Sequence, residues 1–270
     1  MNITFIGGGN MGRAVIGGLV AKGIRAQDIT VVELEAGART RLATEFGVGT
    51  AEGPGEELRE ADVVVLAVKP QNMRDVARAI SRRIANPLVV TIAAGIRTAD
   101  LSRWLEDRRR IVRAMPNTPA LVHAGITGLY APPELGADDR QAAEDLMASV
   151  GATLWFEREA DLDAVTAVSG SGPAYVFYAI EALEKAARDL GLPEGASRSL
   201  ALWTFVGATK LAIERGEEPA KLRAQVTSKG GTTERAIEVL DAAQVRSHFV
   251  DAVKAACQRS RELGDAFGKD

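Results

Sequence analysis

The sequence predicts an α/β fold over residues 1–159, a parallel sheet flanked by helices, followed by an all-helical domain over residues 160–270. Three observations predict it. Short β-branched runs without polar alternation recur through the first half, which is the habit of strands covered on both faces. Helix-compatible stretches separate those runs. From Ala160 onward the Val and Ile runs give way to Ala, Leu, Glu, Lys and Arg at three- and four-residue spacing.

Taken in chain order, the expected strands begin at Ile3–Ile6, Ile29–Val32, Val63–Val68, Leu88–Ile92 and Ile111–Arg113. The stretches 9–22, 36–46 and 71–84 read as helices, each opened by Asn, Gly or Pro chemistry. Two more strands, Gly125–Tyr130 and 152–156, enclose a helix near 138–150. The domain boundary falls near Glu157 to Asp161. In the second half, Tyr175, Ile180, Leu183 and Ala187 suit one helical face, and Leu200, Trp203, Val206 and Leu211 another. So many apolar faces need a partner surface, either the first domain or a second copy of the chain, and a dimer is expected.

With 270 residues, 46% of them hydrophobic and 26% charged, the chain can bury a sizeable core, and disorder, collagen and coiled coil are excluded. Lys+Arg 33 against Asp+Glu 36 gives a net charge of -3, so no overall basic field exists to hold nucleic acid or an anionic membrane. The run Arg108 to Arg110 reads as a solvated surface turn. One cysteine, Cys257, and two histidines supply neither an internal disulfide nor a Cys/His metal cluster. A reducing cytoplasm is expected, without an export signal or membrane anchor. His123 and His248 lack spacing that would nominate a proton relay.

The first chemical signal is the turn after the first strand. Gly7, Gly9 and Gly12 form G-x-G-x-x-G between a strand and a helix. Gly7 allows a tight turn, Gly9 lets backbone amides approach a pyrophosphate, and Gly12 lets the helix pack on the sheet. Glu33 lies about 20 residues on, where a carboxylate accepts ribose hydroxyls and repels a 2′-phosphate, while Arg39 and Arg41 are near enough in sequence to soften that repulsion. Ala67-Val68-Lys69-Pro70-Gln71, Thr91-Ile92-Ala93-Ala94-Gly95 and Met115-Pro116-Asn117-Thr118-Pro119 end further strands, where ligands of open α/β sheets bind.

The second signal is Ser228-Lys229-Gly230-Gly231-Thr232-Thr233 ahead of a helix. Its N–H groups and partial positive charge suit a small carboxylate, unless Thr232 or Thr233 merely caps the helix. Ser169-Gly170-Ser171-Gly172-Pro173 lacks the flanking glycines of a nucleophile elbow. It reads instead as a place where a helix bends and approaches another backbone or a cofactor.

Gly7-Gly8-Gly9-Asn10-Met11-Gly12, Ala67 to Gln71, Arg113 to Ala120, Val168 to Tyr175 and Gly230 to Thr233 together resemble the ordered motifs of the pyrroline-5-carboxylate reductase family, over nearly the whole chain. The resemblance implies a Rossmann-type dinucleotide-binding domain, an all-helical C-terminal dimerisation domain, and hydride transfer from NADPH or NADH to Δ1-pyrroline-5-carboxylate, giving L-proline. It implies that Ser228, Gly230, Gly231 and Thr232 hold the carboxylate of this cyclic imino acid and that the Thr233 hydroxyl, as the catalytic group, bonds its ring nitrogen. Gly7, Gly9, Asn10, Met11 and Gly12 would hold the pyrophosphate. Ala67, Lys69, Pro70, Ala93 and Asn117 would line the cofactor cleft. Substrate would lie between the nicotinamide and the Gly-Gly-Thr-Thr loop of a neighbouring subunit, in a homodimer or a larger ring such as a decamer.

The chain departs from the family pattern at Lys229, at Glu234, and at Glu33, where a short hydroxyl residue is usual. Glu33 predicts that NADH is accepted at least comparably to NADPH. Two rivals share the dinucleotide turn. A β-hydroxyacid-dehydrogenase-type reductase would rely on Lys185 or Lys210, and a nucleotide-sensing protein would have lost catalysis.

Overall fold

The computed structural model describes residues 1–269 and divides into two compact units, Met1–Ser171 joined by the segment from Ala256 onward, and Gly172–Ala255. The first unit is built on one eight-stranded sheet. Its strands are β1 (Ile3–Ile6), β2 (Ile29–Val32), β3 (Gly49–Ala51), β4 (Val63–Leu66), β5 (Leu88–Thr91), β6 (Ile111–Met115), β7 (Gly125–Tyr130) and β8 (Gly151–Trp155), in the spatial order 3-2-1-4-5-6-7-8. Helices α1 (Asn10–Ala21), α2 (Ala36–Phe46), α3 (Pro70–Ile80), α4 (Thr98–Trp104), α5 (Ala137–Ala148) and α6 (Asp161–Val165) connect or flank them.

Alternation along the strands builds a core on each face. Phe5, Val65, Val90 and Val112 belong to one cluster with Val15 and Ile16 of α1 and Leu146 of α5. Ile6, Val64, Leu66 and Val89 belong to the other, with Met73 and Ile80 of α3 and Leu101 and Trp104 of α4. The edge strand β3 and the two-turn helix α4 carry too little local pattern to be expected from sequence. All strand pairs are parallel except β6 with β7. The connection from Pro116 to Ala124 is shorter than the dozen or so residues a parallel crossover needs, so the chain reverses there.

The arginine run departs from its expected solvated role. The Arg108 guanidinium donates to the carbonyls of Ser81, Ile84 and Ala85, closing the end of α3, and Arg110 pairs with Asp139 at 2.7 Å. Such contacts satisfy carbonyls that a helix end leaves unpaired. A further arginine, Arg113 on β6, is buried, with Glu159 at 3.4 Å and Asp163 at 4.0 Å. Glu159 also accepts from the backbone N–H and hydroxyl of Thr98, and Asp163 from the Ser260 hydroxyl.

The second unit contains α7 (Gly172–Asp189), α8 (Glu194–Arg215), α9 (Pro219–Gln225), α10 (Thr232–Ala242) and the first part of α11 (Val245–Phe267). In it only Ser197 and Ala201 are buried. The face expected to hold Leu200, Trp203, Val206 and Leu211 is open, with Trp203 72% exposed and Ile213 76%. Apolar surface on this scale marks an interaction face rather than a finished core. No helix of the described residues is long and apolar enough to cross a membrane.

Candidate active site

The six mutually parallel strands β1 to β6 end on the same edge of the sheet, and the expected nucleotide-binding residues follow five of those ends. Gly7 leaves β1 at φ +98° and donates its N–H to Val32 O at 2.9 Å. A Cβ there would lie 2.8 Å from Ala67 O, and one on Gly12 would lie 2.9 Å from Gly7 O. Gly9, in contrast, has no atom within 4 Å of where a Cβ would stand. The turn is therefore closed on its protein side and open on its solvent side, which is the fit a pyrophosphate at a helix N-terminus requires. Asn10 is exposed at the start of α1. Met11 is half-buried and packs partly against the core.

Gly7, Gly9, Glu33, Ala67 and Lys69 line one cleft of about 570 Å³, with Leu34 and Asn72 beside them. Lys69 is the N-cap of α3 and Pro70 its first residue, where a missing N–H costs nothing. Leu34, 80% exposed, escaped sequence reasoning; its signal was a leucine between two glutamates at a strand end. A neighbouring hollow of about 690 Å³ is bordered by Asn10, Arg13, Glu33, Glu35 and Arg41.

Glu33 is held in place. One carboxylate oxygen accepts from Gly8 N–H at 2.9 Å and the other from Glu35 N–H at 3.0 Å. The cations nearby are committed elsewhere. Arg39 donates to the carbonyls of Glu33 and Leu34, Arg41 lies 3.6 Å from Glu35, and Arg13 grips Glu45. That grip holds the Glu45 carboxyl below its ordinary range, chiefly through the hydrogen bond from Arg13. The hollow thus offers a 2′-phosphate one fixed carboxylate, Glu33, beside Glu35 and Glu45, with its cations Arg13 and Arg41 each already facing an acid. Glu33→Ser is expected to raise kcat/KM with NADPH relative to NADH by about tenfold or more, and side-by-side steady-state kinetics check it. An unchanged ratio would remove Glu33 from nucleotide selection.

Ala93 and Asn117 follow β5 and β6 but do not border these hollows. Asn117 is buried, its amide donating to Ser169 O at 3.1 Å and its carbonyl oxygen accepting from Ile126 N–H at 3.0 Å. Its side chain therefore holds the loop together, leaving backbone for any ligand. Nearby, Thr166–Gly170 forms one π-helical turn, and a Cβ on Gly170 would stand 2.6 Å from Met115 Cε. Small residues in this segment do permit a close approach, here to the Met-Pro-Asn-Thr-Pro loop.

In the second unit, Ser228 to Gly231 turn into α10, with Gly230 at φ +74° and Gly231 as N-cap. Gly231 N–H donates to Ser228 O at 3.0 Å, and Gly230 N–H to Glu234 Oε2 at 2.6 Å. No side chain caps the helix. The Thr232 and Thr233 hydroxyls are left without a hydrogen bond, and the first-turn amides lack intrahelical acceptors. Simple capping by either threonine is therefore not what this segment does. Lys185 and Lys210 are exposed on α7 and α8, paired with Asp189 at 2.5 Å and Glu214 at 3.7 Å, and border neither of the two hollows beside the glycine turn. Among the described residues no group of three or more His, Cys, Asp or Glu is placed to hold a metal ion.

Turn, sheet order and acidic strand end define a Rossmann-type dinucleotide-binding protein with a helical second unit. Comparison with known proteins narrows this class. A family model described as pyrroline-5-carboxylate reductase dimerisation matches residues 159–263, and one described as NADP oxidoreductase, coenzyme F420-dependent, matches residues 2–95. The pyrroline-5-carboxylate reductase of Pseudomonas aeruginosa is 44% identical over 268 residues, covering 99% of this chain and 98% of its own. Among solved structures, a pyrroline-5-carboxylate reductase from Coxiella burnetii superposes with a TM-score of 0.91 at 41% identity, covering 97% of this chain and 98% of that one. A Plasmodium falciparum pyrroline carboxylate reductase with NADP bound gives 0.87 at 27% identity, with 98% of each chain covered. The chain belongs to the pyrroline-5-carboxylate reductase family. It is an oxidoreductase, and its C-terminal part is a dimerisation domain.

Proposed function

We propose that this chain reduces Δ1-pyrroline-5-carboxylate to L-proline with NADH or NADPH, NADH being used at least as well. Residues 1–159 form the nucleotide-binding domain, and residues 160–270 the dimerisation and substrate domain. The chain works in the cytoplasm as a homodimer or a ring of dimers such as a decamer, in which the open faces of α7 and α8 are covered.

The observation that carries the substrate assignment is the start of α10, where the first-turn amides and two threonine hydroxyls lack protein partners. Amides of the first turn with their partial positive charge suit the substrate carboxylate, gripped by Ser228, Gly230, Gly231 and Thr232. The Thr233 hydroxyl hydrogen-bonds the ring nitrogen. Gly7, Gly9, Asn10, Met11 and Gly12 hold the pyrophosphate, Glu33 a ribose, and Ala67, Lys69, Pro70, Ala93 and Asn117 the remaining cleft. Bound NAD(P)H supplies a hydride to the C=N carbon. A protonated cyclic imine is already an electrophile, so the protein has to position it and bond its nitrogen rather than supply a strong acid.

Thr233→Val tests this reading. The expected result is a fall in kcat/KM for the imine of about fivefold to a hundredfold, with nucleotide affinity nearly intact. An equal collapse of nucleotide affinity would place Thr233 elsewhere.

A further inference from the structure

We propose that Glu234 is a resident carboxylate at the substrate corner, holding the Gly230 amide when no substrate is bound and setting how tightly the substrate's own carboxylate binds. The proposal rests on the assignment of the Gly-Gly-Thr-Thr loop made above. Glu234 Oε2 accepts from Gly230 N–H at 2.6 Å, four residues back along the chain. Gly230 is one of the positions assigned to the substrate carboxylate, so two carboxylates address the same donor. The Gly231 amide is already bonded to Ser228 O, which leaves the amides of Thr232, Thr233 and Glu234 as the free donors of the corner.

No cation balances Glu234. The adjacent Arg235 pairs with Glu238 at 3.0 Å, and no Lys or Arg lies within ion-pair distance of Glu234 among the described residues. An arriving anion therefore meets an uncompensated negative charge a few ångströms from the amides it uses, whether it displaces Glu234 from Gly230 or settles beside it. A glutamate three residues after the N-cap also stabilises a helix start, a role that glutamine fills as well. Removing the charge while keeping the acceptor separates the two roles.

The experiment is Glu234→Gln in the full chain. The KM for the cyclic imine and the Kd of L-proline, titrated calorimetrically without nucleotide, are expected to fall together by about threefold to tenfold, with kcat and the KM for NADH within about twofold of the parent. Glu234→Ala, a second variant should the first fold poorly, is expected to shift both in the same direction. Unchanged or weakened binding in both variants would leave Glu234 as a helix cap and overturn the proposal. Thr233→Val run in parallel distinguishes the failures. If it impairs the imine reaction while the Glu234 variants change nothing, only this inference falls; if it too changes nothing, the assignment of the loop falls as well.

Discussion

Replacing Arg113 by methionine is expected to lower the stability of the protein by about 3–5 kcal/mol, seen as a fall in Tm on the order of 10 °C. The Arg113 side chain is 3% exposed and is the cation facing both Glu159 and Asp163. Methionine fills much of the volume but leaves the buried Asp163 and the half-buried Glu159 without their shared cation, eased by the hydrogen bonds from Thr98 and Ser260 and by the charge of Arg97. The loss comes from those stranded charges more than from the missing ion pair. The triple variant Arg113→Met, Glu159→Gln, Asp163→Asn is accordingly expected to recover most of the stability. Thermal and urea melts check both. A single variant that melts with the parent would mean that the carboxylates reach water.

Gly7→Ala is expected to weaken nucleotide binding by about a hundredfold or more. At φ +98° an alanine is strained, by roughly 1–2 kcal/mol, and its methyl group would meet Ala67 O at 2.8 Å. The Gly7 N–H bond to Val32 O and the start of α1 would both have to shift, and the first-turn amides would no longer converge on one point. Gly9→Ala supplies the contrast. Its φ of -65° is ordinary and its methyl group would enter open space, so folding is expected to be unaffected while nucleotide affinity falls through obstruction alone. Fluorescence titration with NADH and a melting curve for each variant separate the two effects. Parental affinity in Gly7→Ala would show that the turn is not the nucleotide cradle.

The turns of the candidate site were legible because their signals are local. The glycine spacing, the acidic end of β2 and the glycine turn before α10 each lie within a few residues, and backbone geometry at that range follows from residue type. Function of the individual side chains was less legible. Asn117 reads as a cleft-lining residue, yet its amide is taken by Ser169, 52 residues away. Arg39 reads as a cation for the nucleotide, yet it folds back onto carbonyls of its own turn. The run Arg108 to Arg110 reads as solvated, yet two of its members close helix and loop ends. In each case a polar side chain found a partner that no local pattern announces.

The sequence by itself determined the two-part architecture, the extents of most strands and helices, and the places where glycine turns meet helix starts, because periodicity and turn chemistry act between near neighbours. Tertiary structure alone decided the anchoring of Glu33 on Gly8 and the burial of Arg113 with acids whose own partners extend to Ser260, 97 residues from Asp163. These depend on which side chains meet in space once the backbone is placed, and on the cost of leaving a polar group unpaired there. That cost is set by packing and desolvation, which no short stretch of sequence contains.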